Sequence, residues 1–166
     1  MTKEDKALLD MLSYAEGTIG VSNNGYDVVF GTPPSIIVGW TSTTNIVHNK
    51  SWIAAGRYQF QYPSWTNGTD SNNIPLTIAN QDTKAVTLIN SKLGSSFDKT
   101  RLTTQSVFNS ALNLLSSGWA SLPVTSTIKN ANGEVRNYGE SYYPNNKPNY
   151  TPEKLFEIYK LALSKY

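Results

Sequence analysis

The most constraining feature of the sequence is an amphipathic stretch that ends in an acid and a glycine. Apolar residues recur three and four positions apart from Leu8 to Ala15, which places them on one face of a helix. Gly17 lies where helices most often end, so Glu16 is expected on the last turn. The negative end of the helix dipole and the apolar face should raise the pKa of Glu16, as a general acid requires. The alternative is a solvated glutamate at a helix end.

The length and the residue types narrow the possible chemistry. A chain of 166 residues suits one domain, and we expect residues 1–166 to form it. The absence of cysteine excludes disulfides and thiolate ligands, and His48 is the only histidine. A histidine-based metal cluster is therefore excluded, and a Ser-His-Asp site would depend on that one residue. We expect no cofactor or metal, so the search for chemistry turns to carboxylates and hydroxyls.

The charge distribution also excludes several partners. The formal net charge is +2, and the 14 Lys and Arg residues are scattered singly, whereas nucleic-acid binding needs a stripe of cations. No apolar run approaches the roughly 20 residues of a membrane span, and the charged N-terminal segment lacks the centre of a signal peptide. Ten Tyr and four Trp suit a sugar-binding surface, although core packing would also use them. We expect a monomer that binds glycan strands.

The periodicity predicts an α+β domain that is mainly helical. Thr2 and Asp5 can cap the first helix, and a small irregular β-region is expected from Ser22 to Tyr62. A surface excursion is expected over residues 41–55, and a loop with one helical turn over residues 61–75. Glycine and proline between residues 125 and 150 predict an extended loop or hairpin. Three further helices are predicted from apolar faces at Ile78, Ala85, Ile89 and Leu93, at Val107, Phe108, Ala111, Leu112 and Leu115, and at Leu155, Ile158, Tyr159, Ala162 and Leu163.

Most of the twelve carboxylates have an ordinary structural interpretation. Asp82 is expected to stabilise a helix start, and Glu134 to lie at a hairpin tip. Three candidates remain for chemistry: Glu16, Asp27 and Glu140. Seven others are expected to be solvated on helix faces or in polar loops, namely Glu4, Asp5, Asp10, Asp70, Asp98, Glu153 and Glu157.

A second candidate segment runs from Gly56 to Phe60. Gly56 would allow the backbone to approach a ligand closely, while Tyr58 and Gln59 offer a stacking face and an amide suited to an acetamido sugar. An Arg and a Tyr in a strand are also common as packing residues, so a structural role is the alternative.

Four sequence blocks occur in an order that resembles the bacteriophage lambda lysozyme (endolysin) family of lytic transglycosylases. They are LDMLSYAEG at 9–17, GYDVV at 25–29, AGRYQ at 55–59 and WASLP at 119–123, followed by a Tyr-Gly pair at 138–139. The resemblance implies a lysozyme-like fold and cleavage of the MurNAc to GlcNAc bond of peptidoglycan with formation of a 1,6-anhydro end. The segments 123–138 and 143–150 are longer here than the family pattern.

The same resemblance implies roles for individual residues. Glu16 would be the catalytic acid, Tyr58 and Gln59 would line the cleft against the sugar, and Tyr138 would lie near the muramic residue. Asp27 would be a structural acid that holds backbone or Arg57. Release to the wall would follow opening of a membrane pore by another protein.

The carboxylate census itself favours transglycosylation, since a hydrolase needs two carboxyl groups at the bond and the sequence offers one persuasive acid. Two alternatives remain open. The first is a hydrolytic muramidase in which Glu140 or Asp27 supplies the second carboxylate. The second is a catalytically silent wall-binding or tail component built on the same fold.

Overall fold

A computed structural model describes residues 1–30, 35–36, 54–61 and 77–166 of the chain. Contacts divide the chain into two compact units, one of residues 1–11 and 86–166 and one of residues 12–85. The described part is mainly helical with small antiparallel sheets, which confirms the predicted α+β class. None of the described helices is long and apolar enough to cross a membrane.

The unit of residues 12–85 contains a small antiparallel sheet, as the sequence predicts. Its strands are β1 (Val28–Phe30), β2 (Ser35–Ile36), β3 (Ala54–Ala55) and β4 (Phe60–Gln61), in the spatial order β2, β1, β3, β4. Val29 pairs with Ala55, and Ala55 pairs in turn with Phe60. The pairing of β3 with β4 therefore closes residues 56–59 into a tight turn. Predictions for residues 37–53 and 62–76 lie outside the described residues.

Four α-helices are present among the described residues. Helix α1 is Lys3–Ala15, α2 is Ile78–Leu93, α3 is Gln105–Leu115 and α4 is Pro152–Leu163, with a short 3-10 turn at Lys99–Arg101. Helices α3 and α4 lie wholly in the unit of residues 1–11 and 86–166, whereas α1 and α2 each begin in one unit and end in the other. The Phe108 ring lies 5.0 Å from that of Phe156 and 5.5 Å from that of Tyr159, centroid to centroid. Burying such rings provides about 1.5–3 kcal/mol each and fixes α3 against α4.

Side-chain caps explain where three of these helices begin. The Thr2 hydroxyl accepts the Asp5 amide at 3.1 Å, and the Asp5 carboxylate accepts the Thr2 amide at 2.9 Å, which confirms the predicted reciprocal cap of α1. Thr104 caps α3 through the amide of Val107. Thr151 caps α4, with Pro152 in the first turn as predicted.

Burial at two helix starts differs from the sequence prediction. Glu4 and Asp5 are 7% and 5% exposed, so the prediction that they are solvated is wrong. Asp5 forms an ion pair with Lys99, which lies 94 residues away in the sequence. Ile78 was expected on the buried face of α2 but is 48% exposed, because it lies in the first turn of the helix, whereas Ala85 and Ile89 are fully buried.

A hairpin occupies the first part of the predicted long loop. Strands β5 (Ile128–Lys129) and β6 (Val135–Arg136) pair in antiparallel fashion, and Glu134 precedes β6 at the tip as expected. Asn130 is 7% exposed, and its side-chain oxygen accepts the amides of Asn132 and Glu134. The base is closed by hydrogen bonds from the Val124 amide to the Glu140 carbonyl at 2.7 Å and from the Gly139 amide to the Val124 carbonyl at 2.9 Å.

Candidate active site

Glu16 is the residue that caps the C-terminus of α1. The Gly17 amide donates to the Tyr14 carbonyl at 3.0 Å and the Thr18 amide donates to the Ser13 carbonyl at 2.9 Å, a Schellman arrangement with Gly17 in the left-handed region at φ +70°. The Glu16 side chain is half-buried. A Cβ atom at Gly17, the residue after Glu16, would meet nothing within 4 Å. The helix thus ends where the sequence predicts, and Glu16 stands at its negative pole.

Buried polar groups fix the chain that follows Glu16. The Thr18 hydroxyl, in a residue that is 2% exposed, lies 2.6 Å from the Arg57 carbonyl, to which it donates. The Arg57 guanidinium donates back to the Ser13 hydroxyl at 3.3 Å. Hydrogen bonds in such a buried setting are costly to break, since each lost partner leaves a desolvated polar group. These hydrogen bonds therefore connect the C-terminal end of α1 to the turn at residues 56–59.

Gln81 of α2 stabilises the turn at residues 56–59. Its side chain is fully buried. The Gln81 side-chain oxygen accepts the Arg57 amide at 2.9 Å, and its nitrogen donates to the Tyr26 carbonyl at 2.9 Å. Gly56 has φ +78°, and a Cβ there would lie 2.2 Å from the Gln81 oxygen. Glycine is required at this position both by the backbone conformation and by the approach of Gln81. The group that lies close to the backbone at Gly56 is therefore the side-chain amide of Gln81.

Tyr58 is buried in the core at 1% exposure. Its hydroxyl donates to the Asp82 carboxylate at 2.6 Å, and the Tyr26 hydroxyl donates to the same oxygen at 2.8 Å. Burial, followed by the neighbouring Asp82 charge, raises the pKa of Tyr58. The Arg57 guanidinium lies 5.2 Å from the Tyr26 ring centroid. These groups form a structural network, in which Tyr58 anchors the turn.

Gln59 is the half-exposed member of the turn and adopts φ +49°, an uncommon conformation for a residue with a side chain. Its side-chain nitrogen donates to the Gly56 carbonyl at 2.8 Å. Its side-chain oxygen is buried and has no hydrogen-bond partner among the described residues. Strained backbone and an unsatisfied acceptor both cost free energy, and such features concentrate at functional sites.

Asp27 belongs to the turn that follows α1. Its carboxylate accepts the Ser22 hydroxyl at 2.7 Å and the Asn23 amide at 3.3 Å. It therefore holds local backbone, one of the two structural roles that the resemblance implied. Arg57, the other suggested partner, lies instead against Tyr26.

Tyr138 and Glu140 lie in the other unit, at the base of the hairpin. Tyr138 is 49% exposed, and its hydroxyl donates to the carboxylate of Glu153 in the first turn of α4. That hydrogen bond raises the pKa of Tyr138 to about 12 and lowers the pKa of Glu153. Glu140 accepts the Asn137 amide at 2.7 Å and lies 3.7 Å from Arg136. Glu140 therefore stabilises the turn before it.

Gln81 and Asp82 are the residues whose role sequence reasoning missed. The two residues are adjacent on α2. Gln81 binds the Arg57 amide and the Tyr26 carbonyl, and Asp82 binds the hydroxyls of Tyr58 and Tyr26. A polar Gln on the same helix face as Ala85 was the signal that could have revealed a buried amide, since buried polar groups are nearly always hydrogen-bonded. Among the described residues, no group of three or more acidic or histidine side chains could hold a metal ion.

The sequence profile of the family described as Endolysin matches residues 6–145. The chain therefore belongs to the endolysin family and is a peptidoglycan-cleaving enzyme of the phage class. Among solved structures, bacteriophage lambda lysozyme complexed with a chitohexasaccharide is similar at a TM-score of 0.66, with 23% sequence identity, over 98% of this chain and 95% of that chain. This similarity confirms the predicted lysozyme-like fold. No curated protein sequence matches the chain.

Proposed function

We propose that residues 1–166 act as one catalytic domain that cleaves the MurNAc to GlcNAc bond of peptidoglycan by lytic transglycosylation, with Glu16 as the catalytic acid and base. The observation that carries the proposal is the position of Glu16, half-buried at the C-terminal pole of α1. A carboxylate is disfavoured at that pole, so the protonated form needed for catalysis is favoured.

The proposed reaction needs one carboxyl group. Glu16 donates its proton to the glycosidic oxygen as the bond from C1 of the muramic residue breaks, and the 2-acetamido group stabilises the positive charge at C1. The 6-hydroxyl of the same sugar then attacks C1 and gives its proton to Glu16, which restores the acid. The product is a 1,6-anhydro ring, and no water is consumed. Attack by a tethered hydroxyl has the rate advantage of an intramolecular reaction.

The surroundings of the other candidate acids support a mechanism with one carboxylate. Asp27 and Glu140 both accept backbone amides in local turns, and Asp82 accepts two phenols. A hydrolase would need one of them to leave its partners and activate water across the bond from Glu16. A hydrolytic muramidase is the second candidate function. It would produce new reducing ends, whereas a transglycosylase produces anhydro-muramic ends.

Gln59 is proposed as the sugar contact of this unit, since it is the half-exposed residue of the turn and a side-chain amide suits an acetamido sugar. Tyr138 is proposed to lie near the muramic residue, with its ring exposed and its hydroxyl oriented by Glu153. Before lysis the enzyme would be held in the host cytoplasm, and a pore made by another protein would admit it to the wall.

The deciding experiment is mass spectrometry of purified wall digested by the wild type and by Glu16→Gln. We expect anhydro-muramic ends from the wild type and a loss of rate of about 10²–10⁴-fold in the variant, the usual contribution of a general acid. The variant should keep its fold and its binding to the wall. New reducing ends, with oxygen-18 incorporated from labelled water, would identify a hydrolase. An unchanged lytic rate in the variant would remove Glu16 from the mechanism.

The pH profile gives an independent test. Activity should fall on the alkaline side as Glu16 loses its proton, with an apparent pKa above the ordinary value of about 4.3. An alkaline decrease in activity with an apparent pKa near 4 would contradict a catalytic acid that is held in its protonated form.

A further inference from the structure

A polar groove runs along the exposed side of helix α3, within the unit of residues 1–11 and 86–166. It is a shallow, open depression of about 790 Å³, and its wall is formed by α3 and by Thr125 and Ser126 of the segment that leads into the hairpin. The three long polar side chains of the wall, those of Gln105, Asn109 and Asn113, are four residues apart. They therefore form a row on one face of α3 that spans about 12 Å.

Hydrogen bonds within the wall fix this row in place. The Asn113 side-chain oxygen accepts the Thr125 amide at 3.0 Å, and the Thr125 hydroxyl donates to the Asn109 carbonyl at 2.6 Å. The Gln105 side-chain nitrogen donates to the Asn109 side-chain oxygen at 2.7 Å and to the Pro152 carbonyl at 3.5 Å. A binding wall that is already ordered loses little entropy when a ligand arrives.

These bonds use one end of each amide and leave the other end for a ligand. The bond from the Thr125 amide requires that the oxygen of Asn113 face the protein, so the Asn113 nitrogen faces away from that contact. In the same way, Asn109 retains its nitrogen as a donor and Gln105 retains its oxygen as an acceptor, with no further partners among the described residues. The row thus offers two amide donors and one acceptor at regular spacing.

The chemistry of the wall selects a class of ligand. None of the described side chains that line the groove is charged, so they offer no counter-charge to a nucleic acid, an anionic wall polymer or a stem peptide with free carboxylates. Leu114 lines the groove and is 46% exposed, which provides an apolar contact for a methyl group. Hydroxyls and acetamido groups match the amides, and the acetamido methyl matches Leu114.

We propose that this groove, whose lining residues do not include Glu16, is a glycan-binding site that holds the uncharged N-acetylated sugar backbone of a peptidoglycan strand. The proposal rests on the proposed function for the nature of the polymer, but it makes no use of the catalytic step. The site would hold the enzyme on the wall between cleavage events.

The test uses the full-length chain carrying Glu16→Gln, so that the probe is not degraded, and a hexamer of N-acetylglucosamine as the probe. Nitrogen-15 NMR is recorded during the titration, since the side-chain amide signals of Asn109 and Asn113 report the groove and those of Gln59 report the proposed catalytic unit. Ser110→Tyr fills the groove from its exposed wall. Ser91→Tyr places the same ring on an exposed position of α2 outside the groove and serves as the matched control.

We expect the hexamer to shift the Asn109 and Asn113 side-chain signals and Ser110→Tyr to abolish those shifts. Retention on purified wall should fall about tenfold in Ser110→Tyr, as expected from the loss of one or two hydrogen bonds, and remain unchanged in Ser91→Tyr. The proposal is overturned if the groove signals stay still while those of Gln59 shift, or if an isolated stem peptide shifts them and the hexamer does not. If the Glu16→Gln protein still cleaves wall, the catalytic role of Glu16 is wrong. The chemical-shift changes of Asn109 and Asn113 still decide whether the groove binds glycan, because they do not depend on cleavage.

Discussion

Adding one methyl group at Gly56 tests whether Gln81 holds the turn at residues 56–59. The new Cβ would lie 2.2 Å from the Gln81 side-chain oxygen, so Gln81 must move. Its hydrogen bonds to the Arg57 amide and the Tyr26 carbonyl would then be lost in a buried environment, at about 1–3 kcal/mol for each unsatisfied group. The left-handed backbone at φ +78° adds about 1–2 kcal/mol for alanine. Gly56→Ala should therefore lower the free energy of unfolding by about 3–8 kcal/mol.

Gly20→Ala separates the backbone cost from the steric cost. Gly20 has nearly the same φ, +72°, but a Cβ there would meet nothing within 4 Å. This variant should lose only the backbone contribution, about 1–2 kcal/mol. The difference between the two variants measures the conflict with Gln81.

The assay is urea unfolding followed by tryptophan fluorescence, with Gln81→Ala completing a double-mutant cycle. In the Gln81→Ala protein the methyl group has room, so adding Gly56→Ala should cost no more than Gly20→Ala costs the wild type. If Gly56→Ala alone does not fold, the double variant should fold better than it. Equal losses at Gly56 and Gly20, or strict additivity with Gln81→Ala, would refute the role assigned to Gln81.

Three further predictions concern the unit of residues 1–11 and 86–166. Burial opposes ionisation of Asp5, but Lys99 and the Thr2 amide outweigh it and lower the Asp5 pKa, so the stabilisation is present above pH 4 and lost as pH falls through the folded-state pKa. Asp5→Asn should cost about 1.5–3 kcal/mol at pH 7 in urea unfolding, and the deficit should shrink below pH 4; a deficit independent of pH would contradict the ion pair. Glu153→Gln should return the pKa of Tyr138 from about 12 toward 10, measured by carbon-13 NMR of the labelled ring, and an unchanged value would contradict the hydrogen bond. Thr151→Ala should destabilise by about 1 kcal/mol through loss of the α4 cap, whereas Thr151→Ser should be nearly neutral.

The helices and their caps could be predicted because their signals are local. The reciprocal bonds of Thr2 and Asp5 connect residues three apart, and the Schellman end of α1 depends on a single glycine at position 17. The sequence therefore placed Glu16 at a helix end without any tertiary information. The family resemblance was needed to propose its chemistry.

Residues whose environment depends on distant partners were assigned less well. Aspartate is a residue type usually found at the surface, but Asp5 is buried and its charge is compensated by Lys99. The burial of Tyr58 and its hydrogen bond to Asp82 depend on the pairing of β3 with β4, which the local sequence does not determine. In that turn only Gln59 combines partial exposure with an unsatisfied buried oxygen. A pattern that identifies a turn does not determine which of its side chains points outward.

The closed base of the hairpin makes its tip a suitable position for enlarging the protein. The hydrogen bonds of Val124 with Glu140 and Gly139, together with the bridge of Pro123 to Ser141, fix the two ends of the excursion independently of the residues between them. The entropy of closing a loop grows only slowly with its length. The exposed Asn132-Gly133 tip could therefore accept an affinity tag or a wall-targeting peptide, and natural relatives could diversify there while the helices below keep their arrangement.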